Sequence, residues 1–220
     1  MIYDFHTHTL LSDGTLSPME LIRRALVNNY RAIALTDHVA TGSLKRIIQE
    51  VTEICSLACS HWDILAIPGV ELTHLPPQAI AETAQRAKEL GARIVVVHGE
   101  TIAEPVEKGT NLAALRSPHV DILAHPGLLS LEEAQLAATN GIFLELSARK
   151  GHCLTNGHVA SLAQQAGAKL LLNSDAHSEQ DLLTIPLATA IIHGTGLDDT
   201  VCHQIMNINP QALIKNLSAQ

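Results

Sequence analysis

Met1-Ile2-Tyr3-Asp4-Phe5-His6-Thr7-His8 opens the chain. A short β-rich run, residues 2–5, ends abruptly in two imidazoles. Residues i and i+2 at a strand end face the same side, so His6 and His8 can chelate one ion. Asn173-Ser174-Asp175-Ala176-His177 repeats that spacing near the other end of the sequence. Between the two lie five more runs of strand character, at 32–36, 64–70, 93–97, 120–124 and 141–145, with the last run at 169–173. Amphipathic stretches separate them: 18–29 after Ser17, 42–60, 77–90, 131–139 after Ser130, and 157–165, with Gly91, Gly141 and Gly167 at expected helix ends. Strands alternating with helices imply βαβ crossovers and a parallel sheet. Seven such units, without a Gly-rich phosphate loop after the first strand, favour closure into an α/β barrel over an open doubly wound sheet.

In such a barrel the strands deliver their carboxyl ends to one shared mouth. Every predicted strand here ends in a ligand-type side chain: His6 and His8, Asp37-His38, Glu71, His98 with Glu100, His125, Glu145, and Asp175 with His177. A hydrolytic metal centre needs oxygen and imidazole donors and an open position for water, and adjacent cations need a bridging carboxylate. Position carries this inference more than residue type. Loop histidines such as His61, His119 and His193 are read as solvated or hydrogen-bonded, and Glu104, unlike Glu71, is not expected to bridge two cations. Cys55 and Cys59 could share a helix face, but burial is the favoured reading for so apolar a stretch.

Composition narrows the function. The 220 residues suit one domain, 1–220, with 46% hydrophobic residues to build its core. A formal net charge of −8 and 2% aromatic residues argue against long nucleic acid as a partner. Four irregularly spaced cysteines do not make a disulfide scaffold. With no leader-like or membrane-length apolar segment, the protein is expected to be cytoplasmic, with no membrane partner. The sequence leaves its oligomeric state open.

The ordered motifs HTHTLLSDG (6–14), TDH (36–38), PGVE (68–71), VHGE (97–100), AHPG (124–127) and NSDAH (173–177) resemble the polymerase and histidinol phosphatase (PHP) superfamily. The resemblance covers nearly the whole chain. It implies an α/β fold of PHP type, a distorted seven-stranded (β/α)7 barrel, with a trinuclear site of two to three divalent ions, zinc, manganese or iron. Carried over by motif, a first ion would be held by His6, His8, Glu71 and Asp175. Glu71 would bridge to a second held by His98 and His125, and Asp13, His38 and His177 would hold a third. Glu71, Asp175 and His177 are the expected catalytic residues. Asp37 is expected to orient a metal-bound imidazole, while Glu100 and Glu145 could be structural or support the ligands. Amidohydrolases also begin with His-x-His, but commonly take a bridging lysine from the fourth strand, where this chain reads Val95-Val96-Val97-His98.

Hydrolysis of a small phosphate ester is the leading expectation, with Arg149 and Lys150, just past the sixth strand, as phosphate anchors. The amides of residues 155–158 are a further place for an anion. The alternatives are a phosphodiesterase or nuclease acting on nucleotides or short oligonucleotides, and a metal-binding regulatory module with little catalysis.

Overall fold

The computed structural model describes residues 1–219. Seven parallel strands stand in sequence order: β1 (Ile2–Asp4), β2 (Tyr30–Leu35), β4 (Leu65–Leu72), β5 (Ile94–His98), β6 (Ile122–Ala124), β7 (Phe143–Ser147) and β8 (Leu170–Asn173). A two-residue strand, β3 (His38–Val39), pairs with the upper end of β4 and sets His38 beside Glu71. These seven strands coincide with the seven runs read from the sequence, with ends shifted by a residue or two. The chain forms an α/β barrel.

The barrel is closed differently along its seam. Low down, side chains bridge the first and last strands: the Phe5 amide donates to Asn173 Oδ1 at 2.9 Å and the Ser174 amide to Asp4 Oδ1 at 3.0 Å. Higher up the backbones bond directly, Asp175 N to His6 O at 3.0 Å and His8 N to Ala176 O at 2.8 Å. This upper contact brings the two chelating pairs, from opposite ends of the sequence, to one place.

Strand periodicity divides the apolar residues into two cores. In β5, Val95 and Val97 join the layer under the helices, whereas Ile94 and Val96 join an inner cluster with Phe5, Ala32, Ala34, Ile67, Ile122, Ala124, Phe143 and Leu171. Continuing each inner row in steps of two residues explains the site. Ile67 leads through Gly69 to Glu71, Val96 to His98, and Phe143 to Glu145. Gly69 has no room for a side chain, because an added Cβ would stand 2.2 Å from Ile94 Cγ2.

Helices α1 (Pro18–Val27), α2 (Leu44–His61), α3 (Pro77–Glu89), α5 (Leu131–Asn140) and α6 (Asn156–Ala166) match the five amphipathic stretches. Ser17 caps α1 through the Glu20 amide, and Ser130 with Glu133 forms a capping box on α5. The sequence reading did not anticipate α4 (Thr110–Arg116), nor α7 (Ile185–Gly194), α8 (Asp199–His203) and α9 (Asn209–Ala219). Leu213 and Leu217 of α9 join the inner cluster and are buried, so this last helix plugs the barrel at the end away from the mouth. Cys55 is buried in the outer core as expected, whereas Cys59 is exposed, with its Sγ bonding the backbone of Ala66. Among the described residues, no helix is long and apolar enough to cross a membrane.

Candidate metal centre

The strand-end residues converge on a cleft of about 300 Å³, lined by Asp13, His38, Thr73, His74, His98, Glu104, His125, Arg149, His152, Asp175 and His177. Beneath it, His6, His8 and Glu71 are fully buried. The two oxygens of Glu71 serve opposite sides. Oε1 lies 3.2 Å from His6 Nε2 and 3.7 Å from His125 Nε2, while Oε2 lies 2.5 Å from His38 Nδ1 and 3.8 Å from His8 Nε2. Asp175 Oδ1 stands 3.2 Å from His8 Nε2 and 3.8 Å from His6 Nε2. At the lip, Asp13 Oδ1 is 3.2 Å from His177 Nε2 and 3.5 Å from His38 Nε2.

Ligand atoms fall into overlapping groups close enough to share an ion: His6, His8 and Asp175; His6, Glu71 and His125; and His8, Asp13, His38 and His177. The first and third contain the expected pairings, the third with His8 added. His98 falls with His125, as expected, though in a group apart from Glu71. That group includes His152, and His98 also groups with His74 and Glu104.

Backbone strain marks three of these positions. His74 (φ 52°), His125 (φ 26°) and Asp175 (φ 53°) lie in the left-handed region, which non-glycine residues seldom occupy. At a strand end, that conformation turns the side chain into the mouth. Such strain costs about 1–3 kcal/mol and persists where the surroundings over-determine it.

Most of the imidazoles are held by one nitrogen. Nδ1 lies 2.8 Å from Glu145 Oε2 in His6, 2.7 Å from Thr73 Oγ1 in His38, 3.2 Å from Gly99 O in His98, 2.7 Å from Thr101 Oγ1 in His152 and 3.0 Å from Asp175 O in His177. An oxygen that accepts from Nδ1–H leaves the Nε2 lone pair free, as in metal-ligating histidines generally. Glu145, left open by the sequence, is thus the carboxylate that orients His6; it also accepts from Asn173 Nδ2 at 2.9 Å.

The buried side chains of the site leave several polar atoms unpaired. His6 Nε2, both ring nitrogens of His8, Glu71 Oε1 and His125 Nδ1 are buried without a hydrogen-bond partner, which proteins normally avoid. Burial pushes the Asp175 carboxyl well above its ordinary range, aided by the negative charges of Glu71 and Glu145 and opposed by His6. Glu71, despite burial, is held well below its range by His6 and His38. Burial also keeps His8 and His125 well below the usual imidazole range, so their lone pairs are available. Hard carboxylate oxygens and imidazole nitrogens, buried without hydrogen-bond partners, fit divalent metal ions.

Several expectations need correction. Asp37 orients no imidazole; its carboxylate accepts from Thr9 N at 2.7 Å, Thr9 Oγ1 at 2.8 Å and Ser12 Oγ at 2.6 Å, and so shapes the loop that presents Asp13. Lys150 is exposed and outside the cleft lining, because the chain turns outward after Arg149. Arg149 does reach the lip: Nη1 donates to Asp175 O at 3.3 Å, with Nε 3.8 Å from Asp175 Oδ2. Glu100 serves its own loop, accepting from the amides of Gly109 and Asn111. At 155–158, where α6 begins, the Asn156 side chain bonds the backbone of Ser147 and His158 bonds Leu129 O, and neither contact involves the amides read as an anion site. The sequence reading overlooked His74, Glu104 and His152. His152 is buried and stacks on His125 at 4.1 Å between ring centroids. It lies five residues beyond β7, and Glu104 six beyond β5, where strand-end position gives no signal.

Comparison with known proteins agrees with this architecture. An uncharacterised protein of Methanocaldococcus jannaschii is 46% identical over 218 residues, 99% of this chain and 100% of that one. A protein named "Probable phosphatase" from Thermoanaerobacter sp. strain X514 is 26% identical over 227 residues, spanning 90% of this chain and 88% of its own. Among solved structures, histidinol phosphate phosphatase from Lactococcus lactis, crystallised with zinc, L-histidinol and phosphate, superposes with a TM-score of 0.64 at 16% identity, over 90% of this chain and 94% of that one. Residues 4–165 match the PHP domain, and with that match, the strand-end ligand motifs and the barrel in agreement, the chain belongs to the PHP family.

Proposed function

We propose that this protein is a metal-dependent phosphoesterase that hydrolyses the phosphate monoester of a small molecule, using about two to three divalent ions of zinc, manganese or iron. The observation that carries this reading is the set of buried, unpartnered imidazole and carboxylate atoms beneath a cleft with a guanidinium at its lip. Ions would be held by His6, His8, Glu71, His98, His125 and Asp175, and by Asp13, His38 and His177. Ions bound there supply Lewis-acid polarisation of a phosphoryl oxygen and lower the pKa of water from about 15.7 toward about 7.

The protein's own side chains do the rest. Glu71, with an oxygen turned to each side, is the carboxylate suited to link two ions. Glu145 fixes the His6 ring, and Asp175 O fixes both His177 Nδ1 and the Arg149 guanidinium. Arg149 presents parallel N–H donors that suit the non-bridging oxygens of a phosphate. A cleft of about 300 Å³ is at the small end of ligand pockets, and with a net charge of −8 it favours a compact phosphorylated metabolite over a long polyanion. The phosphatase name of the Thermoanaerobacter relative, and the zinc and phosphate held by the Lactococcus structure, support the same class.

The test is a screen of manganese- and zinc-reconstituted protein against sugar phosphates, nucleoside monophosphates, histidinol phosphate, an aryl phosphodiester and a short oligonucleotide. Monoester hydrolysis is expected, abolished by a chelator. Glu71→Gln should lower kcat/KM by about a hundred- to a thousand-fold, roughly 3–4 kcal/mol of lost stabilisation. Preference for the diester or oligonucleotide, or full activity in Glu71→Gln, would contradict the reading.

A further inference from the structure

Two side chains from the segment just beyond β7 converge on one oxygen of the cleft: Arg149 Nε lies 3.8 Å and His152 Nε2 3.9 Å from Asp175 Oδ2. At those separations neither is hydrogen-bonded to the carboxylate. His152 is buried yet lines the cleft, and its Nδ1 is 2.7 Å from Thr101 Oγ1. A hydroxyl, unlike a carbonyl, can donate as well as accept. Thr101 Oγ1 already accepts from the Ala103 amide at 3.3 Å, so its own proton goes to His152 Nδ1. The ring hydrogen of His152 then sits on Nε2, turned to the cleft as a donor. Glu104 Oε1, at 3.6 Å, is also beyond hydrogen-bond reach of that nitrogen.

Ring geometry separates this role from that of a metal ligand. His152 has a nitrogen near those of His98 and His125, but a ligated ion lies close to the plane of each imidazole that holds it. The planes of His125 and His152 differ by only 16° with their centroids 4.1 Å apart, so one ion cannot lie in both. His98, whose ring stands at 73° to that of His125, can share an ion with it. We propose that His152 is a substrate-binding residue that, together with Arg149, holds non-bridging oxygens of the phosphoryl group, and that Thr101 is the positioning residue that fixes its ring. Two donors three residues apart in one loop would thus grip the anion from the protein side.

The inference rests on the phosphoesterase reading above, and binding of inorganic phosphate to the zinc-loaded full-length protein separates the two. Phosphate affinity would be measured by calorimetry, metal equivalents by elemental analysis and hydrolysis of p-nitrophenyl phosphate by steady-state kinetics, for wild type, His152→Leu, His152→Gln and Thr101→Val. Far-UV circular dichroism would establish that each fold is kept. His152→Leu, which fills the space without a donor, should bind phosphate about ten- to a hundredfold more weakly, the scale of a hydrogen bond to a charged group, with every metal equivalent retained. In His152→Gln an amide nitrogen replaces Nε2 and should recover part of that affinity. Thr101→Val keeps the shape of the side chain and loses only the orienting bond; it should weaken phosphate binding by less than His152→Leu, and it carries the test if that variant does not fold. Unchanged phosphate affinity in the variants that fold, or a metal equivalent lost from one of them, would overturn the role of His152 and leave the phosphoesterase reading standing. Zinc-loaded wild type that neither binds phosphate nor hydrolyses p-nitrophenyl phosphate would overturn both.

Discussion

Arg149 is the residue whose substitution most cleanly separates substrate binding from metal binding. It touches the carbonyl and carboxylate of Asp175 from the rim, with its side chain one-third exposed, and it offers no donor to a cation. Arg149→Ala should therefore leave metal content unchanged and lower kcat/KM for the best phosphate ester by about 2 kcal/mol, the scale of one charged hydrogen bond. Steady-state kinetics beside elemental analysis reads both; loss of metal would give Arg149 a structural task at Asp175. Arg149→Lys should recover only part of the loss, because a point charge replaces a planar fork. At this scale the sequence was legible wherever a side chain ended a strand: His6, His8, His38, Glu71, His98, His125, Asp175 and His177 all reach the mouth. Asp37 and Lys150 were misread because residue type and adjacency do not fix where a loop side chain points. His74, Glu104 and His152 were missed for the same reason, since loop paths carry no period.

Elements differ in how openly the sequence announces them. The continuous apolar run of β5 reads as a buried strand, and the caps at Ser17 and Ser130 mark helix starts by chemistry alone. The short β3 was invisible because two residues make no pattern, and its pairing with β4 depends on where the chain goes after β2. In α9 the i,i+4 spacing of Leu213 and Leu217 is present in the sequence, yet nothing local says that this helix must close the lower end of a barrel. Its packing implies a measurable cost. Leu213→Ala, which empties space against the inner cluster, should destabilise the protein by about 2–5 kcal/mol in urea unfolding, with the metal ligands untouched. A loss below about 0.5 kcal/mol, the range of a surface substitution, would show that the plug is not packed as described.

Across the whole molecule, the barrel has an apolar lower half, sealed by α9, and an upper half into which carboxylates and imidazoles are crowded without enough hydrogen bonds among themselves. The fold class could be read early because strand and helix periods alternate without a break, and the site because the barrel's geometry turns seven separate strand ends into one place. The loop side chains at the rim could not be read, since their reach depends on loop paths, as with Glu104, which comes within 3.2 Å of His98. The central claim is that the crowded mouth is a multinuclear metal centre. Elemental analysis by mass spectrometry, on protein reconstituted with manganese or zinc and freed of loose metal, tests it most directly. About two to three equivalents per chain are predicted for wild type, with at least one lost in Glu71→Gln. Wild-type protein that keeps its fold and retains no stoichiometric metal would contradict the account.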